Sequence, residues 1–482
     1  MRSVALLLPI GLLVGLSFLV PACGSDPTGS GFSNEPPPVV ASDASSDGPC
    51  TSLVCDGSVG KPGCVGLECK QVDCPGGGKT TLSGKVFDPA GKVPLYNVVV
   101  YVPNTSPAEI RDGASCERCD GAVSGNPVAI TTTDATGSFK LENVPVVKDL
   151  PVVVQVGKWR RAITLPGVAE CADTPVGAGV LRLPRNRAEG HIPRIALTTG
   201  AADPLECLLR KIGIDDAEFG RAGSDARIHL YAGGGFTDNG VLSAPSRAFA
   251  STGEAFMDAT AFWGGVATLS KYDVVLLSCE GTENEAAKPE AARRALYEYT
   301  KAGGRVFASH YHNYWFSASP LPEVQAIAAW TDSRQDPAGK TETVNATLET
   351  GFPKGAALKA WLGNTGSLTA SGELPIQEAR HNVDAVGKDA LSWIRVNNPR
   401  EGNIPAIQYM SFNTPVGAQD AQVCGRVVFS DLHVGAGNTA GPPFPEGCTP
   451  GDLTAQQKTL EFMLFDLSSC VQRDDQPPVK PH

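Results

Sequence analysis

Residues 272–280 read Tyr-Asp-Val-Val-Leu-Leu-Ser-Cys-Glu, and residues 305–312 read Arg-Val-Phe-Ala-Ser-His-Tyr-His. A helical segment lies between them, from about Pro289 to Lys301, and it ends at a Gly-Gly pair. Short apolar runs bounded by turn residues are typical of strands that are buried on both faces. A strand, a helix and a strand with short connections form a βαβ unit, whose two strands are parallel. This stretch therefore predicts an α/β domain built on a parallel sheet.

The carboxyl edge of this sheet is the candidate functional site, because ligands on such sheets bind beyond the carboxyl ends of the strands. Glu280, His310 and His312 fall at that edge, and His433 joins them if its own apolar strand, at 425–432, is also parallel. The His-x-His pair could bind a divalent metal, with Glu280 as an oxygen ligand. The alternative is that the histidines satisfy hydrogen bonds at a crowded edge and the protein has no cofactor.

Ser309 offers a second kind of chemistry at the same edge. With His433 and Glu280 it has the residue types of a hydrolytic triad, which is defined by geometry and not by chain order. However, no Gly-x-Ser-x-Gly motif surrounds Ser309. Cys279 ends the first apolar run, and we interpret it as a buried thiol. The residues alone leave a metal site, a serine nucleophile and purely structural histidines open.

The N-terminus has the pattern of a secretory signal. Arg2 is followed by an apolar run at 4–20 and by Val-Pro-Ala-Cys at 20–23. This ending resembles a bacterial lipobox, which implies that residues 1–22 are removed and that the thiol of Cys23 is lipidated. A plain signal peptide or a membrane anchor is the alternative, but the run is short for a span of about 20 residues. We expect an exported protein, lipid-anchored in the cell envelope at the outer membrane or the periplasmic face.

Composition bounds the number of domains and the kind of partner. The 482 residues allow two or three domains. A formal net charge of -11 argues against a nucleic-acid partner, which would need a basic surface. Fourteen cysteines are typical of an exported protein. Removing the lipidated Cys23 from the 14 leaves 13, an odd number, so at least one thiol is expected to stay unpaired.

Residues 23–79 are rich in Gly, Pro, Ser and Asp, and we expect them to form a disordered tether. The tether contains five cysteines, Cys50, Cys55, Cys64, Cys69 and Cys74. No histidine stands among them and the compartment is oxidising, so a small disulfide-bonded knot is favoured over a zinc site.

Residues 80–190 are expected to form a small antiparallel β-sandwich, because short alternating segments are separated there by turn signals. Ser-Gly-x-Val-x-Asp-x-x-Gly at 83–91 and Thr-Thr-Asp-Ala-x-Gly-x-Phe at 132–139 resemble the carboxypeptidase regulatory-like (transthyretin-like) domain. That resemblance implies a structural or adhesive role. A long loop with Cys116 and Cys119 departs from the family pattern, and disulfides are favoured over a metal for these two residues.

The basic stretch Lys-Trp-Arg-Arg at 158–161 is interpreted as a hairpin turn with exposed charges. A surface that stacks on a sugar or binds an anion is the functional alternative.

Residues 191–472 are expected to form the α/β domain, followed by a disordered tail at 473–482. Its first helix is expected to begin at Asp203, with Asp203 as cap and Glu206 completing a capping box.

The apolar run at 272–277, the Gly-Gly strand followed by His310, and Gly-Arg-Val at 425–427 before His433 resemble the class I glutamine amidotransferase-like superfamily. The trehalose-utilisation (ThuA-like) branch is the most similar. The resemblance implies a flavodoxin-like fold. In the amidotransferases a nucleophilic Cys follows the Gly-Gly strand. Ser309 and His310 occupy that place here, so glutamine hydrolysis is not expected.

Two functions from different classes follow. The first is a membrane-anchored lipoprotein with a binding or structural role, whose partner is a carbohydrate or an envelope protein. The alternative is an exported hydrolase acting on a carbohydrate or an amide through a His/Glu site at the sheet edge.

Overall fold

The computed structural model describes residues 63–339, 341–435 and 440–479. The expected signal peptide, the lipidation site Cys23, and Cys50 and Cys55 of the expected knot lie outside these residues. All the described residues belong to one unit, which runs from Ser58 to His482. Within the described ranges, no helix has the length and apolar character needed to cross a bilayer.

Seven strands between residues 81 and 175 form two sheets that share one apolar core. The strands are β1 (Thr81–Lys85), β2 (Val99–Pro103), β3 (Pro127–Thr132), β4 (Ser138–Glu142), β5 (Leu150–Val156), β6 (Trp159–Leu165) and β7 (Asp173–Pro175). The sheet orders are β4-β1-β7 and β3-β2-β5-β6, and every pair is antiparallel except β1 with β7. In β4 the period of two is clear, since Phe139 and Leu141 are buried and Lys140 and Glu142 are exposed.

The rest of the chain contributes fifteen strands and eight α-helices to the described structure. The strands are β8 (Ile195–Thr199), β9 (Phe219–Arg221), β10 (Ile228–Ala232), β11 (Phe236–Asp238), β12 (Val241–Ser243), β13 (Met257–Asp258), β14 (Val274–Leu277), β15 (Arg305–Ser309), β16 (Ala328–Trp330), β17 (Thr343–Leu348), β18 (Leu374–Gln377), β19 (Val383–Val386), β20 (Ala390–Asn398), β21 (Ile404–Thr414) and β22 (Gly425–Ser430). The helices are α1 (Leu205–Lys211), α2 (Ala259–Trp263), α3 (Val266–Leu269), α4 (Glu290–Lys301), α5 (Tyr314–Ser317), α6 (Pro322–Gln325), α7 (Pro353–Asn364) and α8 (Ala455–Ser468). Short 3-10 helices span Gly66–Lys70, Pro75–Gly77, Asp216–Glu218, Glu285–Ala287, His310–Asn313, Pro399–Glu401 and Asp420–Gln422.

The large sheet is mixed rather than parallel throughout. Its order is β13-β10-β8-β14-β15-β22-β21-β20-β17-β18, with β9 paired to β10. Strands β10, β8, β14, β15 and β22 are mutually parallel and buried along their whole length. The expected βαβ unit of β14, α4 and β15 is therefore confirmed. Strands β21, β20, β17 and β18 pair antiparallel, which corrects the expectation of a purely parallel sheet.

The central pair of the antiparallel half, β20 with β21, follows from a short connection. Strands β20 and β21 are separated by only residues 399–403, where Gly402 and Asn403 both adopt positive φ angles, +68° and +64°. Parallel neighbours need a crossover of a dozen residues or more, so a connection this short enforces a hairpin.

The start of helix α1 differs from the expected capping box. The helix begins at Leu205 and has no side-chain cap. Asp203 instead accepts hydrogen bonds from Ser309 Oγ at 2.6 Å and from the Val434 N–H at 2.8 Å. Tertiary partners from two other strand ends therefore replace the local cap. This places a buried carboxylate beneath the carboxyl edge of the sheet.

We call the part of the chain that contains β1–β7 the sandwich part, and the part that contains β8–β22 and the α-helices the α/β part. Two disulfides join these two parts. Cys116 is bonded to Cys424, and Cys119 is bonded to Cys470. The expectation that these two cysteines form disulfides is confirmed, although each bonds a distant partner. The other described disulfides are Cys64–Cys69, Cys74–Cys171 and Cys207–Cys448. The Cys64–Cys69 bond lies within the segment expected to form a disulfide-bonded knot, whereas Cys74 ties residues 63–79 to the sandwich, which differs from the expected tether.

The basic stretch at 158–161 begins in the turn of the β5–β6 hairpin, as expected, but its first two residues are not exposed. Lys158 and Trp159 are buried. The Lys158 ammonium donates to the carbonyl oxygens of Arg111 and Gly113, and to Asp273 Oδ1 at 2.5 Å. Since Asp273 immediately precedes β14, this ion pair also links the sandwich part to the α/β part.

The beginning of the expected disordered tail is held in place. Asp474 is buried and pairs with Arg426, and with Lys354 at 3.1 Å. Arg426 lies in β22 and also pairs with Asp466 of α8 at 2.5 Å. Two buried cations therefore fix this part of the chain against the sheet and its last helix.

Candidate functional site

Three neighbouring strands end at the same edge of the large sheet. Strand β15 lies between β14 and β22, parallel to both. Residues 278–280 follow β14, the 3-10 helix His310–Asn313 follows β15, and residues 431–433 follow β22. Since parallel strands share a direction, all three segments emerge together.

Cys279, His310 and His433 come together at this edge, and we call them the edge cluster. Cys279 Sγ lies 3.3 Å from His310 Nδ1, and the rings of His310 and His433 have centroids 5.2 Å apart. One donor atom from each of the three side chains lies within 4.8 Å of the other two. All three residues are buried, with exposures of 0%, 6% and 1% in the order named.

From the sequence, Cys279 is interpreted as a buried thiol, yet strand register places it beside His310. Leu277 of β14 pairs with Ala308 of β15. Two residues further along each strand are Cys279 and His310. The signal that could have found this contact is therefore the equal spacing of the two residues beyond paired strands.

His433 is the least satisfied group of the edge cluster. Neither ring nitrogen has a hydrogen-bond partner among the described residues, and Glu378 Oε2 lies 3.8 Å from Nδ1. Burial alone would lower the pKa of His433, but the charge of Asp203 and the neighbouring Cys279 and Glu378 raise that pKa to about 10. Acidic neighbours therefore offset the effect of burial on the imidazole of His433.

His310 has the opposite electrostatic character. Burial, followed by the charge of His433, lowers the pKa of His310 well below its usual value. His310 also has a left-handed backbone, with φ +46°, and Glu378 has φ +54°. Such conformations are uncommon outside glycine and collect at ligand sites and active sites. Two of them border His433.

His312 does not join the edge cluster, contrary to the expected His-x-His pair. Its Nδ1 accepts a hydrogen bond from the Trp315 indole N–H at 2.9 Å, so its Nε2–H donates to the carbonyl of Ser278 at 2.8 Å. Burial, together with the charge of Lys288, lowers the pKa of His312 to about 4. Because both ring nitrogens are used, His312 is a neutral structural histidine.

Glu280 also points to other partners. Its Oε2 accepts from Lys288 Nζ at 2.5 Å and from Asn284 Nδ2 at 3.0 Å, and its Oε1 accepts from the Gly234 N–H at 2.7 Å. Glu280 and Lys288 are both fully buried, so they form an internal ion pair. The expected site of Glu280, His310, His312 and His433 is therefore not assembled as one group.

Ser309 is engaged with Asp203 rather than with a histidine. Its hydroxyl donates to Asp203 Oδ2 at 2.6 Å, and burial raises the pKa of Asp203. The triad of Ser309, His433 and Glu280 considered from the sequence is not formed, because Glu280 is bound to Lys288.

The edge cluster supports two kinds of chemistry. A thiol next to an imidazole is the pairing of a cysteine nucleophile with its base. A thiol with two imidazoles is a donor set for zinc and similar transition metals. The first needs access for a substrate, whereas Cys279 has no exposed surface. The second needs only a buried space between three donor atoms.

No family model and no curated protein matches this chain. Among solved structures, a protein from Bacteroides uniformis described as ThuA-like has 12% sequence identity, covering 60% of this chain and 96% of its own, with a TM-score of 0.31. A second protein described as ThuA-like, from Parabacteroides merdae, has 13% identity and covers 59% and 95%, with a TM-score of 0.29. A cohesin–dockerin complex from Acetivibrio cellulolyticus has 16% identity and covers 30% and 78%, with a TM-score of 0.15.

Proposed function

We propose that this chain is an exported, lipid-anchored protein of the cell envelope that binds a ligand at the edge cluster and does not hydrolyse glutamine. The observation that carries the binding function is His433, a buried imidazole whose two ring nitrogens have no hydrogen-bond partner among the described residues. Buried polar groups are almost always paired, so an unpaired one calls for a missing partner. In this proposal the wider partner of the protein is a carbohydrate or another envelope protein.

The proposal includes a flavodoxin-like, amidotransferase-like α/β part of the ThuA-like kind. Its support is the order of the five parallel strands, β10-β8-β14-β15-β22. Numbered along the chain, this order is 2-1-3-4-5, which is the order of flavodoxin-like sheets. The proposed function does not include glutamine hydrolysis, because the residue that follows β15 is His310 and not a cysteine. The first part of the described chain is proposed to be carboxypeptidase regulatory-like on the motifs at 83–91 and 132–139.

Export is supported by the cysteines. Ten of the eleven described cysteines form five disulfides, and Cys279 is the free one among them. Disulfides persist in oxidising compartments and are rare where thiols are kept reduced.

The anchor is tested by metabolic labelling with a tagged fatty acid in a host that processes bacterial lipoproteins. Wild-type protein is expected to carry the label and to sediment with membranes, because acyl chains on Cys23 hold it there. The Cys23→Ser variant should be unlabelled. A matched Cys50→Ser variant leaves the lipobox intact and should be labelled like the wild type. Equal labelling of wild type and Cys23→Ser would contradict the anchor.

One specific contact favours an enzyme as the second candidate. Cys279 Sγ and His310 Nδ1 lie 3.3 Å apart, which is hydrogen-bond reach for a thiol nucleophile and its base. The enzyme would be an exported hydrolase that acts on a carbohydrate or an amide. Rapid alkylation of Cys279 by iodoacetamide in the folded protein would favour this alternative, because a buried thiol without an access path does not react.

A further inference from the structure

The three donor atoms of the edge cluster have the chemistry and the spacing of a transition-metal site. Zinc binds thiolate sulfur at about 2.3 Å and imidazole nitrogen at about 2.0–2.1 Å in a tetrahedron, so its donor atoms lie about 3.3–3.6 Å apart. Cys279 Sγ and His310 Nδ1 already lie 3.3 Å apart. All three donor atoms are within 4.8 Å of one another. Small side-chain rotations would therefore complete the arrangement.

We infer that Cys279, His310 and His433 bind a single transition-metal ion of the zinc class. Sulfur and nitrogen donors select zinc or cobalt over magnesium and calcium, which require oxygen ligands. This inference rests on the proposed binding function and deepens it, because it names the class of ligand and the side chains that hold it.

The metal accounts for two features of the edge cluster. A ring nitrogen of His433 gains a partner, although neither nitrogen has one among the described residues. Cys279 also gains a reason to stay unpaired while the ten other described cysteines are oxidised. A thiolate bound to zinc is already deprotonated and coordinated, and it is protected from disulfide formation.

Acidic groups next to the edge cluster offset the charge of the ion. Asp203 is fully buried, and its charge acts on His433. Glu378 Oε2 lies 3.8 Å from His433 Nδ1 and also accepts from Arg380 at 3.2 Å. The Glu378 carboxylate therefore offers an oxygen donor for the fourth position of the tetrahedron. Four protein ligands without a bound water describe a closed site, in keeping with the burial of the cluster.

The inference is tested by titrating the purified, chelator-treated protein with Co²⁺ under non-reducing conditions and recording absorption. We expect one equivalent of Co²⁺ to give the intense visible bands of a tetrahedral site and a near-ultraviolet band from thiolate to cobalt. Zn²⁺ should displace the cobalt and bleach both. Cys279→Ser should lose the thiolate band, and His433→Ala should bind Co²⁺ at least about 100-fold more weakly.

A matched control is His381→Ala. His381 is also buried but lies outside the edge cluster, and its ring nitrogens contact Asp384 and Asn398. This variant should bind Co²⁺ like the wild type. Near-ultraviolet circular dichroism should show that each variant is folded.

Failure of wild-type protein to bind Co²⁺ or Zn²⁺ would overturn the inference. Equal binding by wild type, Cys279→Ser and His433→Ala would overturn it as well, because the metal would then lie elsewhere. Neither result affects fatty-acid labelling of Cys23, so the anchor proposed above is judged separately.

Discussion

At the scale of single residues, the buried ion pair of Glu280 and Lys288 makes the protein sensitive to mutation of either partner. Both side chains are fully buried, and Lys288 also donates to the carbonyl of Glu283 at 2.5 Å. A buried ion pair adds little net stability relative to an apolar pair. Removing one partner, however, leaves an uncompensated charge in the interior of the protein.

Lys288→Met should therefore destabilise the protein by about 3–5 kcal/mol, because Glu280 is left without its cation. Urea unfolding followed by fluorescence measures the loss. The double variant Glu280→Gln/Lys288→Met removes both charges and should recover part of it. If Lys288→Met lost less than about 1 kcal/mol, Glu280 would not depend on Lys288 for compensation.

The sequence was sufficient to predict which residues lie at the carboxyl edge of the sheet, but not which groups each side chain contacts there. His310 and His433 were expected together because both follow apolar strands, and topology alone brings such residues to one edge. Glu280 and His312 were also expected there, but their contacts with Lys288 and Trp315 depend on side-chain direction. Cys279 was missed because its pairing depends on strand register.

At the scale of elements, helix α8 joins the two parts of the molecule. It begins with a capping box formed by Thr454 and Gln457, and it is buried along most of its length. Glu461 of this helix is fully buried, and its carboxyl oxygens have no hydrogen-bond partner among the described residues. Asp88 of the sandwich part is also buried, with Oδ2 unpartnered among the same residues.

These two carboxyl groups predict a pH dependence of stability. Burial raises the pKa of Asp88 to about 6, and burial together with the charge of Asp88 raises the pKa of Glu461 well above its usual value. The folded state therefore holds protons that the unfolded state releases above about pH 4. Stability contributed by these groups is fully present at low pH and is lost as pH rises to about 6 and beyond.

Glu461→Gln should flatten this dependence, because Gln does not ionise. The midpoint of urea unfolding is compared between pH 4.5 and pH 8, where the variant should fall less than the wild type. Glu446→Gln, at an exposed position, is the control and should follow the wild type. A steeper fall in Glu461→Gln would contradict the assignment.

Elements with a strong local pattern could be predicted from the sequence, and the rest could not. Strand β15 and helix α4 lie within one residue of the expected bounds, because their apolar runs end at turn residues. The predicted cap of α1 was wrong because Asp203 accepts hydrogen bonds from two residues that are distant in sequence. A local sequence pattern does not show such tertiary partners. The antiparallel half of the sheet was missed because its strands are only partly apolar.

At the scale of the whole molecule, disulfides connect parts of the chain that lie far apart in sequence. Cys116–Cys424 and Cys119–Cys470 span 308 and 351 residues. Because loop-closure entropy grows with loop length, such bonds restrict the unfolded chain strongly. Pairings of this kind cannot be read from a sequence, since spacing does not report distance in the fold.

Peptide mapping of the unreduced protein should therefore recover the Cys116–Cys424 and Cys119–Cys470 pairs. Removing the first with Cys116→Ala/Cys424→Ala should cost about 2–5 kcal/mol in urea unfolding. The Cys64–Cys69 bond closes a loop with a sequence separation of only 5, so its removal with Cys64→Ala/Cys69→Ala should cost less. A peptide that joins Cys116 to Cys119 would contradict the connectivity.

The same two bonds limit when the disulfides can form during synthesis of the protein. A chain is synthesised from its N-terminus, so Cys116 and Cys119 appear 308 and 351 residues before the cysteines they finally bond. During that interval each has the other as its nearest oxidation partner. A premature bond between them has to be reopened by thiol–disulfide exchange, which takes seconds to hours without a matched catalyst. Efficient production of this protein therefore depends on an isomerase, or on oxidation that waits until Cys424 and Cys470 have been added.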